Sequence, residues 1–196
     1  MSKGKSKEFN LLSIYLSFEL ITDLILSPIS KTIFKSEFIA AHIFTLVEFF
    51  IFASLFRIIS KEKSKNFIFI IFSSVFTLIF FYENFISINR GFDSLSVGTS
   101  NIILTANAII CLSQFLKTTK SENILHPNFF ILSSSVIYFS GTLFIYTLFN
   151  SYVENKNFND IYYLINPIVI AIRNIMLVIG IIYNLSLKQK EKMIAA

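Results

Sequence analysis

Six apolar runs, each about 20 residues long, dominate this chain and leave little between them. A run of that length is what a helix needs to cross the hydrocarbon core of a bilayer. In that solvent every backbone N–H and C=O must be satisfied within the segment, so each run is read as an α-helix. The predicted spans are 9–27, 38–59, 67–88, 97–116, 127–149 and 161–187 of the 196 residues. Charged residues make up 15% of the chain, against about 25% in a soluble domain. The longest connection is about a dozen residues, which leaves no room for a soluble catalytic or ligand-binding domain. The expected fold is all-α: a polytopic transmembrane bundle of six spans, residues 1–196 forming a single transmembrane domain.

Local signals set the ends of these spans. Lys3, Lys5 and Lys7 precede the first run as in a signal peptide, but Glu19 and Asp23 interrupt it and no small-residue cleavage site follows, so a retained helix is expected. Pro28 is expected to end it. Pro127 suits the first turn of the fifth span. The sixth has two possible starts. Asn166-Pro167 is either an N-cap and first turn or a kink in a helix begun near Ile161.

The basic residues orient the chain. With a cytoplasmic N-terminus, the inner segments hold Lys3, Lys5, Lys7, Arg57, Lys61, Lys63, Lys65, Lys117, Lys120, Lys188, Lys190 and Lys192. The outer segments hold Lys31, Lys35, Arg90 and Lys156, and Arg173 lies within a span. That bias over short loops is a positive-inside signal and places both termini in the cytoplasm. It also explains the net charge of +5 without nucleic acid. The expected location is a bacterial inner (cytoplasmic) membrane, with the lipid bilayer as the first partner.

Four ionisable residues fall inside the spans: Glu19, Asp23, Glu48 and Arg173. A charge at a bilayer centre costs roughly 2.5–3.5 kcal/mol on insertion scales, so such residues turn to a bundle interior, a partner or water. Helical spacing gathers other polar residues beside them. Tyr15, Glu19 and Asp23 recur at every fourth position, and Ala41, Thr45, Glu48 and Phe52 share a face. Ser73, Thr77 and Asn84 align, as do Ser100, Asn107, Cys111 and Gln114. Ser134, Tyr138 and Gly141 form a fifth stripe, and Asn166, Arg173, Gly180 and Asn184 a sixth. Stripes of small and polar residues pack inward between membrane helices. Arg173 is the one cation at mid-depth, and it is expected to pair with Glu48 or Glu19. Asn107, Tyr138, Gln114, Asn166 and Asn84 are the supporting polar residues of this cluster. A pair of this kind fixes helix register, binds a ligand or moves a proton.

Other chemistries lack their residues. His42 and His126 fall at opposite membrane faces, which excludes a shared haem or metal. No cofactor and no metal are expected. Cys111 is the sole cysteine, so no intrachain disulfide forms. Gly4-Lys5-Ser6 lacks the upstream glycine and strand of a phosphate loop. Ser140-Gly141 has no histidine at matching depth, which argues against an intramembrane serine protease.

The segment from Asn128 to Leu148, with Phe129-Phe130, Ser134 and Tyr138-Phe139-Ser140-Gly141, resembles part of a family of uncharacterised bacterial multi-span membrane proteins. Glu19 and Glu48-Phe49 also match family positions. Phe130 stands where tryptophan is common and Ser134 where glycine is. The resemblance implies six or seven helices, with an additional N-terminal span in many members, and genes lying near those of sensor histidine kinases. The implied role is sensory or signalling, with a sensor kinase as a possible membrane partner. The residues themselves point to a non-enzymatic sensory or interaction module. The alternatives are a small transporter or proton-coupled carrier and an intramembrane enzyme acting on lipid. Gly141 and Gly180 suit close helix packing within one chain or in a homo-oligomer.

Overall fold

A computed structural model of the protein describes residues 7–33, 38–60, 65–83, 94–118, 126–152 and 156–194. Among the described residues all but His126 are helical, and none is in a strand. Five helices are long and apolar enough to cross a membrane: Lys7–Ile33, Ala40–Ser60, Leu95–Thr118, Pro127–Ile145 and Ile165–Ser186. A sixth apolar helix, Phe69–Phe81, is shorter over its described residues. This is the architecture of a polytopic, multi-pass transmembrane protein.

The elements are α1 (Lys7–Ile21), a π turn (Thr22–Leu26), α2 (Ser27–Ile33), α3 (Phe38–Ser60), α4 (Lys65–Phe81), α5 (Ser94–Thr118), α6 (Pro127–Tyr152) and α7 (Lys156–Ile194). One predicted boundary is corrected. Pro28 does not end the first helix, because helical backbone runs on to Ile33. A proline ring collides with the carbonyl four residues earlier, here that of Leu24. The chain relieves this by widening just before it: the Ser27 N–H bonds to the Thr22 carbonyl, five residues back. Of the two readings of Asn166-Pro167, the one with the proline inside an earlier-starting helix holds. α7 starts at Lys156 and carries Pro167 in its interior. α6 starts as expected at Pro127. His126 caps it, its Nδ1 accepting from the Asn128 N–H at 3.2 Å and its carbonyl from the Phe129 N–H at 2.9 Å.

The chain divides into two compact units, Met1–Ile103 and Leu104–Ala196, with the boundary inside α5. In the first unit, α1, the π turn, α2 and α4 all pack on α3. The contacts are largely aromatic. Tyr15 meets Phe52 edge-on at 4.8 Å between ring centroids, and Phe49 stacks on Phe76 at 3.9 Å. Lipid tails are as apolar as phenylalanine, so dispersion and close fit, rather than exclusion from water, hold such faces together.

In the second unit α6 and α7 form a tightly packed antiparallel pair. Gly141 faces Val169, Tyr138 faces Arg173, and Gly180 faces Phe130 and the carbonyl of Pro127. A Cβ on Gly141 would come within 3.1 and 3.2 Å of the two Val169 methyl carbons, and one on Gly180 within 3.3 Å of the Phe130 Cβ. The two glycines therefore set the distance between the helices.

Candidate functional site: two polar centres on membrane helices

Each unit places one charged side chain among apolar residues and gives it an aromatic partner. In the first unit the centre is Glu48 on α3. Its side chain is 8% exposed, and the fully buried Tyr15 of α1 donates its phenolic hydrogen to Glu48 Oε1 at 2.7 Å. Thr45, one turn before Glu48, is buried on the same face. The face formed by Thr45, Glu48 and Phe52 is the predicted one, whereas Ala41 is exposed. Tyr15 is held by its ring contact with Phe52, so packing aims the hydroxyl at the carboxylate. A hydrogen bond to a carboxylate is among the stronger side-chain bonds, more so where water is excluded.

In the second unit the centre is Arg173 on α7, fully buried at 0% exposure. The guanidinium carbon lies 4.0 Å from the centroid of the Tyr138 ring on α6. Its Nε–H donates to Asn174 Oδ1 at 3.1 Å. The electron-rich ring face and the amide oxygen together replace part of the hydration that a buried cation loses. The flat guanidinium suits this stacked geometry, which an ammonium group does not reproduce.

The remaining predicted site residues differ in burial. Glu19, one turn along α1 from Tyr15, is half-buried. Asp23 departs from the expected buried cluster: it sits on the π turn and its side chain is exposed. Asn107 and Gln114 on α5 and Asn166 on α7 are half-buried, Tyr138 is buried, and Asn84 lies outside the described residues. Glu19 and Glu48 belong to the first unit and Arg173 to the second, so the expected carboxylate–arginine pair would join one unit to the other. Within its own unit Arg173 meets Tyr138 and Asn174.

Sequence reasoning passed over three participants. Asn174 follows Arg173 directly, and a search at helical spacing skips the next residue. Glu83 was counted into the third span, yet it reaches the start of α5. Its carboxylate accepts from the Leu95 N–H at 3.0 Å and the Ser96 N–H at 2.6 Å, and also from the Ser96 hydroxyl. It thus caps the start of α5. Asn101 is 2% exposed, and its side-chain nitrogen has no hydrogen-bond partner. The predicted stripe on α5 ran through Ser100, Asn107, Cys111 and Gln114, whereas the buried face holds Ser100, Asn101, Leu104, Ala108 and Cys111.

Most serine and threonine hydroxyls on the spans close back on their own helix. Ser134 and Ser135 donate to the Ile131 carbonyl, and Thr142 to that of Tyr138. This is the usual way a hydroxyl is satisfied without a partner helix. Among the described residues no group of three or more His, Cys, Asp or Glu is placed to hold a metal ion. No protein-family model, curated protein or solved structure matches the chain.

Proposed function

We propose that the protein is a six-span sensory or interaction module of a bacterial inner membrane, with both termini in the cytoplasm. The shorter apolar helix Phe69–Phe81 is taken as the sixth span. The observation that supports the reading best is Arg173, a fully buried cation laid on the Tyr138 ring in the interior of an apolar helix pair. A charge held so firmly at a helix contact gives that contact discrete arrangements, which a ligand, lipid or partner shifts by binding one better than the other. The resemblance to proteins encoded beside sensor histidine kinases supports a membrane kinase as the partner.

A two-hybrid assay in membranes, pairing the chain with the sensor kinase encoded nearest to it, tests the reading. The wild type is expected to score, and Arg173→Ala and Glu48→Gln to change the signal while still inserting. If neither variant alters interaction or signalling, the reading is wrong.

A second reading, a small proton-coupled carrier, draws on the Tyr15–Glu48 bond, since a buried carboxylate with a hydroxyl partner is a proton-accepting unit. Reconstitution in liposomes with a trapped pH dye separates the two. Proton flux that disappears in Glu48→Gln favours the carrier, and its absence favours the module.

A further inference from the structure

Asp23 is the anomaly that neither polar centre absorbs. It lies four residues inside the predicted span 9–27 and eight residues, about 12 Å along the axis, before Lys31. Its carboxylate is exposed, and it has no hydrogen-bond or ion-pair partner among the described residues. The side chains around it are apolar and equally uncovered: Leu20 is 60% exposed and Leu24 67%. Of the most apolar stretch of this helix 17% is buried, against 44% for the neighbouring span Ala40–Ser60. A carboxylate turned toward lipid at that depth is costly, so something of complementary chemistry covers it in the membrane.

Among the described residues, no cation is placed to supply that cover from a second copy. Across the candidate spans Lys7, Lys31, Arg57 and Lys117 sit near helix ends, and Arg173 is fully buried. Two copies meeting through this face would set Asp23 against Asp23. The backbone also marks the position. Asp23 is the second residue of the π turn, whose wider ring changes the direction in which its side chains leave the helix.

From the exposed, unpartnered Asp23 and the uncovered leucine and isoleucine face around it, we infer that α1 and the π turn form a docking surface for one transmembrane helix of another protein. That helix carries a lysine or arginine at the depth of Asp23. The inference rests on the membrane-spanning reading of the chain. It names the recognition chemistry for an interaction module: a charge pair formed between chains inside the bilayer, framed by leucine and isoleucine.

The test uses the full-length protein, donor-labelled and reconstituted in phosphatidylcholine vesicles with acceptor-labelled polyleucine helices. One guest helix carries a single lysine at the matching depth and the other carries only leucine. Energy transfer is expected to show the lysine helix bound about tenfold more tightly. Asp23→Asn should reduce it to the level of the leucine helix, while Asp23→Glu retains the preference and shows that folding is not the cause. Equal transfer for both guests, or a lysine preference that survives Asp23→Asn, overturns the inference. So does self-association of the protein that is lost in Asp23→Asn, which would assign the face to a second copy. Washing the vesicles with alkaline carbonate separates the premises. Protein that washes off ends the membrane reading along with this inference. Protein that stays and shows no lysine preference ends the inference alone.

Discussion

The phenol of Tyr15 and the carboxylate of Glu48 meet 2.7 Å apart across α1 and α3, both buried and 33 residues apart in the chain. That bond ties α1 to α3 through a polar contact. Tyr15→Phe removes the donor of this bond and Glu48→Leu its acceptor. Each is expected to destabilise the fold by about 1–3 kcal/mol. The double variant should cost less than the sum, with a coupling of about 1 kcal/mol or more. Equilibrium unfolding in mixed detergent micelles measures all three, and strict additivity would show that the bond is not formed.

Gly141 and Val169 make the closest approach of α6 to α7 that a substitution probes directly. Gly141→Ala places a methyl group 3.1 Å from a Val169 methyl carbon and should cost about 1–3 kcal/mol. Val169→Ala removes both obstructing methyls, so the double variant Gly141→Ala/Val169→Ala should recover part of the loss. Thermal unfolding followed by helical circular dichroism reads this. A second-site change that makes matters worse would mean that the helices do not meet there.

The guanidinium carbon of Arg173 sits 4.0 Å over the centroid of the Tyr138 ring. Arg173→Lys keeps the charge and loses that geometry, so it should behave more like a loss than like a conservative exchange. Tyr138→Leu removes the ring and should cost about 1–2 kcal/mol. The same detergent unfolding assay compares them. A fully stable Arg173→Lys variant would mean that charge alone matters at this site.

Glu83 receives two backbone N–H groups and a hydroxyl from the first turn of α5. Glu83→Ala should loosen that turn at a cost of about 1–2 kcal/mol, and Ser96→Ala should cost less because both N–H bonds persist. Hydrogen exchange at Leu95 and Ser96 should accelerate in Glu83→Ala and barely change in Ser96→Ala. Unchanged exchange in both would remove Glu83 from the cap.

Much of the helical layout is legible in the sequence because hydropathy over about 20 residues integrates many weak preferences. α3, α5 and α6 fall close to the predicted spans for that reason. The error sits at a proline. Pro28 reads as a stop, yet it is accommodated inside a helix, as is Pro167, for which that was one of the two readings. In a membrane the alternative to helix is exposed backbone, which costs more than one missing hydrogen bond and some widening. Periodicity finds the faces of Glu48 and Arg173 and puts Tyr138 beside Arg173, but it gives Tyr15 and Asn174 no role. Tyr15 was visible on a stripe without a stated role, and Asn174 stands where no periodic search looks. Asp23 shows the limit of the method. Spacing placed it in line with Tyr15 and Glu19, but the π turn that follows α1 alters the angular step per residue, and the alignment fails there.

α7 runs 39 residues without interruption, about 58 Å of continuous helix, nearly twice the thickness of the hydrocarbon core. From Arg173 to Ile194 the rod is about 32 Å long and contains no proline. A few degrees of tilt or rotation at the Tyr138 contact would therefore appear as ångströms of travel at the far tip. The helix would act as a mechanical pointer, carrying an event among its buried side chains to the water beyond with no hinge to absorb it.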